Sequence, residues 1–194
     1  MTSPLERLLV DIRSCAVCAP HLPHGVRPVV QAGEGARIVV VGQAPGAKVH
    51  ASGVPWDDAS GARIRDWMGI DCTTFYDSQR VALVPMGFCY PGRRAGGDRP
   101  PRPECAPLWH ESLFAVLPNR RLTLLAGVYA HAGYLGDRRS ATVTETVRRF
   151  RDYGPAFFPL PHPSWRSAIW VRTNPWFEAD VAPALRAAVR EALL

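Results

Sequence analysis

Four short apolar runs recur along the chain, separated by stretches whose apolar residues have helical spacing. The runs are Ile38 to Val41, Val81 to Val84, Leu122 to Ala126 and Phe157 to Leu160. Each is long enough for a buried strand and too short for a helix. Strands that alternate with helices predict crossover connections and a mostly parallel sheet. We therefore expect an α/β protein, a three-layer sandwich with a central four-stranded, mostly parallel sheet flanked by helices.

Apolar spacing and capping residues predict the helices between these strands. We expect helices at Pro4 to Arg13, at Gly61 to Met68 with Ser60 as the cap, at about Pro103 to Leu117, after Gly127, from Thr142 to about Arg151, and from Asn174 onward with a kink at Pro183. On the second of these helices, Arg63 and Arg65 are expected to be free to face solvent or phosphate.

Glycine and proline mark two irregular segments. Residues 19–35 are predicted to be a long loop, and Arg93 to Cys105 a flexible basic loop, because their glycines and prolines oppose regular structure.

An unusual loop follows each predicted strand. Gly42-Gln43-Ala44-Pro45-Gly46 follows the first strand, and its terminal glycines suit tight bends or a close approach to a ligand. Ligands of open α/β sheets bind at the carboxyl ends of the strands, so the four loops are expected to line one edge. Taken alone, this glycine–proline pattern also fits an ordinary turn.

Length and charge narrow the class of protein. The 194 residues suit a single domain, 1–194, that needs no partner for stability, so we expect a monomer. No apolar run of membrane-spanning length and no signal-peptide pattern occurs, which favours a cytoplasmic protein without membrane contacts. The net charge is +6, and Lys48 is the only lysine among 23 basic residues. Arginine suits phosphate, so nucleic acid is an allowed partner, although genome base content produces the same bias.

Five cysteines in a reducing compartment favour metal binding or plain thiols over disulfides. Cys15 and Cys18 form a CxxC pair, and Cys89 and Cys105 lie sixteen residues apart. Cys72 stands outside this arrangement and is predicted to be a buried thiol.

These motifs together resemble the uracil-DNA glycosylase superfamily, most closely its bacterial iron–sulfur members. The resemblance rests on GQAPG after the first strand, GVPW in the next loop, and HPS after the last strand. It extends over most of the chain. It implies a glycosylase that hydrolyses the N-glycosidic bond of uracil, and of related deaminated bases, in DNA. The products are uracil and an abasic site.

The resemblance also implies roles for individual residues. The loop Gly42, Gln43, Ala44, Pro45 and Gly46 would hold the base, Trp56 and Phe88 would contact it, and Ser164 with Pro163 would grip a phosphate. His162 would donate to the uracil oxygen that gains charge. Trp165 and Arg166 would form a wedge in the helix, and Arg93, Arg94, Arg99 and Arg102 would contact phosphates. Cys15, Cys18, Cys89 and Cys105 would bind a [4Fe-4S] cluster, with zinc as the rival metal.

Two departures from the family pattern affect the chemistry. Ala44 stands where classical members carry the aspartate that orients the attacking water. Asp57 is therefore the first choice for this role, with Asp58 and His50 as further candidates; the Asp57-Asp58 pair would otherwise only cap the following helix. Met86 stands in the segment where relatives often carry an asparagine that reads the base edge.

Other interpretations remain open from the sequence. His162 also fits a solvated loop histidine, and Trp56 also fits a core residue. A damaged-DNA or abasic-site binder without catalysis is one alternative, since the loop acid is missing. A nucleotide-binding Rossmann-like enzyme is another, although GQAPG lacks the middle glycine of GxGxxG.

Overall fold

A four-stranded parallel sheet forms the centre of the computed structural model, which describes residues 2–194. The strand order is β2-β1-β5-β6, and all three neighbouring pairs are parallel. The central strands are β1 Ile38–Val41, β2 Val81–Leu83, β5 Leu122–Ala126 and β6 Phe157–Leu160. The predicted fold class is confirmed.

Alternate residues of the strands enter two different cores. Ile38 and Val40 of β1 pack in one cluster, whereas Val39 and Val41 pack in the other. All four are fully buried, as expected for a strand covered on both faces. The sheet is therefore the middle layer of a three-layer sandwich.

Nine α-helices within residues 2–194 complete the architecture. They are α1 Pro4–Ser14, α2 Ala47–Ser52, α3 Ala59–Met68, α4 Cys72–Tyr76, α5 Cys105–Ala115, α6 Val128–Leu135, α7 Val143–Arg148, α8 Ser167–Thr173 and α9 Ala182–Leu193. Helices α3 and α9 contribute to one core, and α1 and α5 to the other. None of the described helices is both long and apolar enough to span a membrane.

Several boundaries differ from the sequence predictions. Asp58, not Ser60, caps α3, because its Oδ1 accepts the Gly61 N–H at 2.9 Å. A π-helical turn at Phe177–Val181 precedes α9. Pro183 lies in the first turn of α9, a position where the missing N–H of proline costs no helical hydrogen bond. Short helices α2, α4 and α8 were not predicted; each has only five to seven residues, too few for a clear periodic pattern.

The basic segment predicted to be an irregular loop contains a small β-hairpin. Strands β3 Arg93–Arg94 and β4 Gly97–Asp98 pair antiparallel, with Arg93 opposite Asp98. Gly96 and Gly97 both have positive φ, which glycine adopts without steric cost. The same glycines that opposed a long strand thus permit the tight turn.

Candidate active site

The GQAPG loop leaves β1 at the carboxyl edge of the sheet and is bonded to the segment that leaves β2. The Gly42 carbonyl accepts the Met86 N–H at 2.9 Å, and the Gln43 carbonyl accepts the Gly87 N–H at 3.0 Å. Gly46 then caps α2. These bonds fix the GQAPG loop against the segment that follows β2.

Trp56 lies directly on this loop. A β-carbon at Gly42 would come within 2.6 Å of its Cζ2 atom, so only glycine permits the contact. Trp56 has a φ of 59°, an unusual conformation for a bulky residue. The Tyr76 hydroxyl donates to its carbonyl at 3.3 Å, which helps to hold this conformation. Strained backbone of this kind clusters at functional sites.

His162 follows β6 and lies beside Trp56 at the same edge. The two ring centroids are 6.2 Å apart, with the planes inclined by 28°. On its other side, His162 packs against Gly127, where a β-carbon would come within 2.9 Å of the His162 Cβ. Burial lowers the pKa of His162, and the charge of Asp58 opposes this shift. The imidazole is therefore neutral at neutral pH and can donate one N–H.

Arg63 holds the loop that carries His162. Its Nη1 donates to the carbonyl of Pro163 at 3.3 Å, to the carbonyl of Ser164, and to Ser167 Oγ at 3.2 Å. The prediction that Arg63 is free to face solvent or phosphate is wrong, because its side chain is hydrogen-bonded to these three acceptors. The same prediction is wrong for Arg65, since its guanidinium packs over the Phe75 and Tyr76 rings.

The three candidates for positioning water lie in different surroundings. Asp57 is exposed, and its charge adds to the burial that raises the pKa of Tyr76. Asp58 is half-buried and is the carboxylate that acts on His162. His50, in α2, donates from Nε2 to the His24 carbonyl at 3.2 Å and packs near Tyr90.

The β3–β4 hairpin is attached to the site at two points. The Gln43 side chain donates to the Arg99 carbonyl at 3.3 Å, and Arg166 Nη2 donates to the Gly96 carbonyl at 2.8 Å. Arg93, Arg94 and Arg99 are exposed. Among the arginines predicted to bind DNA, Arg102 differs, because it forms an ion pair with Glu104 at 2.5 Å.

Trp165 protrudes next to the HPS loop. Its relative exposure is 69%, the largest of any tryptophan, and the Arg166 guanidinium lies 5.1 Å from its ring. Pro163 is buried and Ser164 half-buried beneath it. An exposed aromatic ring supported by an arginine is a suitable shape for insertion into a base stack.

Sequence reasoning missed Asp98, the carboxylate on β4. Asp98 Oδ2 would lie 3.5 Å from a β-carbon at Gly46, so it contacts the GQAPG loop. Although the residue as a whole is exposed, burial of the carboxyl group raises its pKa; Arg93 opposes this shift and Asp58 adds to it. The only sequence signal was that Asp98 is one of two acids, with Glu104, within the basic segment Arg93 to Cys105.

Four cysteines line one cavity between α1, the segment after β2 and the start of α5. They are Cys15, Cys18, Cys89 and Cys105. None forms a disulfide. Burial raises the pKa of Cys105 to about 12, and the charges of the other three thiolates add to this shift, as expected for neighbours. Cys72 lies elsewhere and is exposed, so its predicted burial is wrong.

The chemistry of this cavity fits a cluster with thiolate ligands. The Trp109 indole lines it, and its buried Nε1 has no hydrogen-bond partner among residues 2–194. An indole N–H is only a donor, so cluster sulfur would satisfy it. The Phe88 N–H already donates to Cys105 Sγ at 3.3 Å. Within the same residues, no group of three or more Cys, His, Asp or Glu side chains is arranged to hold a single metal ion.

Phe88 therefore belongs to this cavity. It was predicted to contact the base, but its side chain is 1% exposed and packs in the core beside the cysteines. Its ring is not accessible to a base.

Comparison with known families gives one match over most of the chain. The family model of the uracil DNA glycosylase superfamily matches residues 30–186. These residues include all four strands of the central sheet and every site residue described above except Cys15 and Cys18.

Proposed function

The chain belongs to the uracil DNA glycosylase superfamily, and we propose that it is a monofunctional uracil-DNA glycosylase of base-excision repair. It would hydrolyse the N-glycosidic bond of uracil in DNA and leave an abasic site. The observation that carries this proposal is the pairing of Trp56 with His162 beside the GQAPG loop, at the carboxyl edge of a parallel sheet.

The base would enter the site after rotation out of the DNA stack, since its glycosidic bond is inaccessible within a duplex. Trp56 offers a ring face for stacking, and the backbone of Gln43 and Ala44 offers donors for the base carbonyls. When the glycosidic bond breaks, its electron pair leaves with the uracil. A donor aimed at the uracil oxygen stabilises charge that is larger in the transition state than in the ground state.

His162 suits this donor role in its neutral form. Its lowered pKa keeps the ring uncharged at neutral pH. Gly127 on one side and Arg63, through the Pro163 and Ser164 carbonyls, on the other restrict where the ring can lie. A donor held in place before reaction costs no reorganisation during it.

The DNA backbone would bind along the hairpin and the HPS loop. Arg93, Arg94 and Arg99 are exposed and available to phosphates, and Trp165 would occupy the space left by the rotated nucleotide. Arg102 would contribute less, because it is already paired with Glu104.

The scarcity of amines in the chain supports hydrolysis without strand cleavage. Strand cleavage by a glycosylase needs an amine that forms a Schiff base with the sugar. Lys48 is the only lysine and is exposed on α2. We expect no covalent adduct on borohydride treatment of the reaction; an adduct that disappears in Lys48→Ala would contradict this.

We further propose that the four cysteines of the cavity bind a [4Fe-4S] cluster, as in the iron–sulfur members of the superfamily. Such a cluster would link α1, the segment after β2 and α5, a structural role that needs no change of redox state. The unpartnered Trp109 N–H and the Phe88 N–H would both face its sulfur atoms. Zinc is the alternative occupant.

The decisive experiment is an excision assay on single- and double-stranded oligonucleotides that contain one uracil. Alkali-labile abasic sites and released uracil are the expected products. Matched oligonucleotides with thymine should remain intact. Tight binding of uracil or abasic DNA without product would instead support a damaged-DNA binding protein, for which the alanine at position 44 is the supporting observation.

A further inference from the structure

The hairpin brings a carboxylate to the loop that lacks one. The GQAPG loop has Ala44 and no acid, so none of its own side chains can take a proton from an attacking water molecule. Asp98, from a distant part of the chain, approaches this loop: its Oδ2 would lie 3.5 Å from a β-carbon at Gly46.

Two contacts on either side of Asp98 hold it there. Arg166, which follows the HPS motif, donates to the Gly96 carbonyl at 2.8 Å. Gln43, within the GQAPG loop, donates to the Arg99 carbonyl at 3.3 Å. The hairpin is therefore tied to the two loops that carry the site.

Asp98 and His162 are both influenced by the charge of the same residue, Asp58. Asp58 acts on both groups: it adds to the raised pKa of Asp98 and opposes the lowered pKa of His162. The other ionisable groups that face Asp98 are Arg93, opposite it on β3, and Tyr90, whose pKa is raised by burial and then by the charge of Asp98. A carboxylate with a raised pKa is a better base than an ordinary aspartate.

We propose that Asp98 binds and orients the attacking water. This inference rests on the proposed function. In the step, the glycosidic electron pair leaves with uracil N1, the water oxygen bonds to C1′ of the sugar, and Asp98 takes the proton that this water loses. The proton is then released to solvent or to the uracil anion.

The other carboxylates and His50 suit the role less well. The charge of Asp57 acts on Tyr76, and Asp58 already uses Oδ1 to cap α3. His50 directs Nε2 to the His24 carbonyl. Asp98 contacts the motif loop, and its carboxylate accepts no hydrogen bond from another residue among 2–194.

The experiment compares single-turnover excision rates and equilibrium DNA binding for the wild-type protein and five variants, which are Asp98→Asn, Asp58→Asn, Asp57→Asn, His50→Ala and Asp71→Asn. Asp98→Asn keeps the size of the side chain and removes the base. Asp58→Asn keeps a good helix cap. Asp71→Asn is the matched control, since Asp71 Oδ1 caps α4 by accepting the Thr74 N–H at 2.7 Å and asparagine is an equally good cap.

We expect Asp98→Asn to slow excision roughly 10²-fold or more, within the range of general-base catalysis, with DNA affinity unchanged. The excision rate of the wild-type protein should fall on acidification as Asp98 becomes protonated. The rate of Asp98→Asn should not show this decrease. Asp71→Asn should match wild type in both measurements.

Other outcomes would overturn the inference. A normal rate in Asp98→Asn with a slow Asp58→Asn would assign the water to Asp58. A normal Asp98→Asn with a slow Asp57→Asn or His50→Ala would restore the sequence prediction. Weaker binding with a normal rate would make Asp98 a structural part of the hairpin. An inactive wild-type protein would contradict the proposed function itself, which separates that failure from this one.

Discussion

Arg63 on α3 donates to the carbonyls of both Pro163 and Ser164, and so connects the helix after the Trp56 loop to the loop that carries His162. The two halves of the site come from segments about 100 residues apart and meet through one guanidinium group. Their relative position therefore depends on a residue that itself lies outside the predicted base pocket.

Arg63→Ala should misplace His162 without removing it. We expect roughly a 10²-fold loss of kcat/KM, the size of effect that small displacements of catalytic groups produce. Arg63→Lys should recover only part of the activity, because the ammonium of the shorter lysine side chain cannot reach as far as Arg63 Nη1, which makes all three contacts. Steady-state kinetics on uracil DNA measure both. Arg190→Ala, exposed on α9, is the control for loss of charge; an equal loss there would refute the positioning role.

His162→Ala should act mainly on the chemical step. By analogy with removal of one oxyanion donor, we expect roughly a 10²- to 10³-fold fall in kcat, about 3 to 4 kcal/mol. Because burial lowers the pKa of His162, the donor is neutral and activity should not require its protonation. Single-turnover rates and DNA binding distinguish a role of His162 in the chemical step from a role in DNA binding. Weak binding with normal cleavage in His162→Ala would show that His162 only binds DNA.

The cysteines of the cavity should bind iron and sulfide. Protein purified without oxygen should be brown, and Cys105→Ser should lower both iron content and thermal stability, because the proposed cluster joins three segments of the chain. Cys72→Ser, at an exposed cysteine outside the cavity, should change neither. Metal and acid-labile sulfide analysis measures the outcome. Colourless protein with stoichiometric zinc would identify the rival metal.

The hairpin arginines should set part of the salt dependence of DNA binding. Arg93→Ala with Arg94→Ala should reduce the slope of log K against log salt concentration by about two, equally on all sequences. Arg149→Ala is the control, since this exposed arginine pairs with Asp152. An unchanged slope in the double variant would mean that the hairpin does not contact phosphates.

His110 should make stability depend on pH. Its Nε2 donates to the Pro85 carbonyl at 3.0 Å, its Nδ1 accepts from the Tyr134 hydroxyl at 2.6 Å, and burial lowers its pKa from 6.5 to about 4. Between these pH values the unfolded chain binds a proton that the folded protein does not. Stability should therefore fall as pH drops through this window, by about 3 kcal/mol in total.

Urea unfolding at several pH values measures this effect. His110→Gln can still donate to the Pro85 carbonyl but does not titrate, so its stability should change less over the same window. The comparison uses the slope with pH and not the absolute stability, which the substitution also alters. Equal slopes in both proteins would contradict the assignment of the effect to His110.

Local patterns were sufficient for the strands and for most of the residues that belong to the family motifs. Each of β1, β5 and β6 is a contiguous apolar run bounded by turn residues, and their observed limits match the predicted ones. The capping box at Thr142 and Glu145 forms as predicted, because both of its bonds are made within four residues. Short-range chemistry of this kind is readable from neighbouring residues alone.

Long-range contacts decided the remaining features. Arg63 looked like a solvent-facing helical arginine, and only the docking of α3 against the HPS loop showed its acceptors. Phe88 looked like a base contact, and only packing showed it buried beside Cys105. The glycines near Arg93 predicted a break in regular structure. They could not indicate that the carbonyls of Gly96 and Arg99 would accept hydrogen bonds from distant side chains.

The sequence by itself determined the parallel α/β architecture, the superfamily and the segments that carry the site, because hydrophobic periodicity and motif spacing are local properties of the chain. Only the tertiary structure decided which carboxylate meets the GQAPG loop. Asp57 adjoins Trp56 in the sequence, whereas Asp98 lies between a glycine and an arginine, so the local sequence favoured Asp57. The hairpin contacts through Arg166 and Gln43 bring Asp98 to Gly46, and those contacts exist only once the sheet has aligned its four loops at one edge.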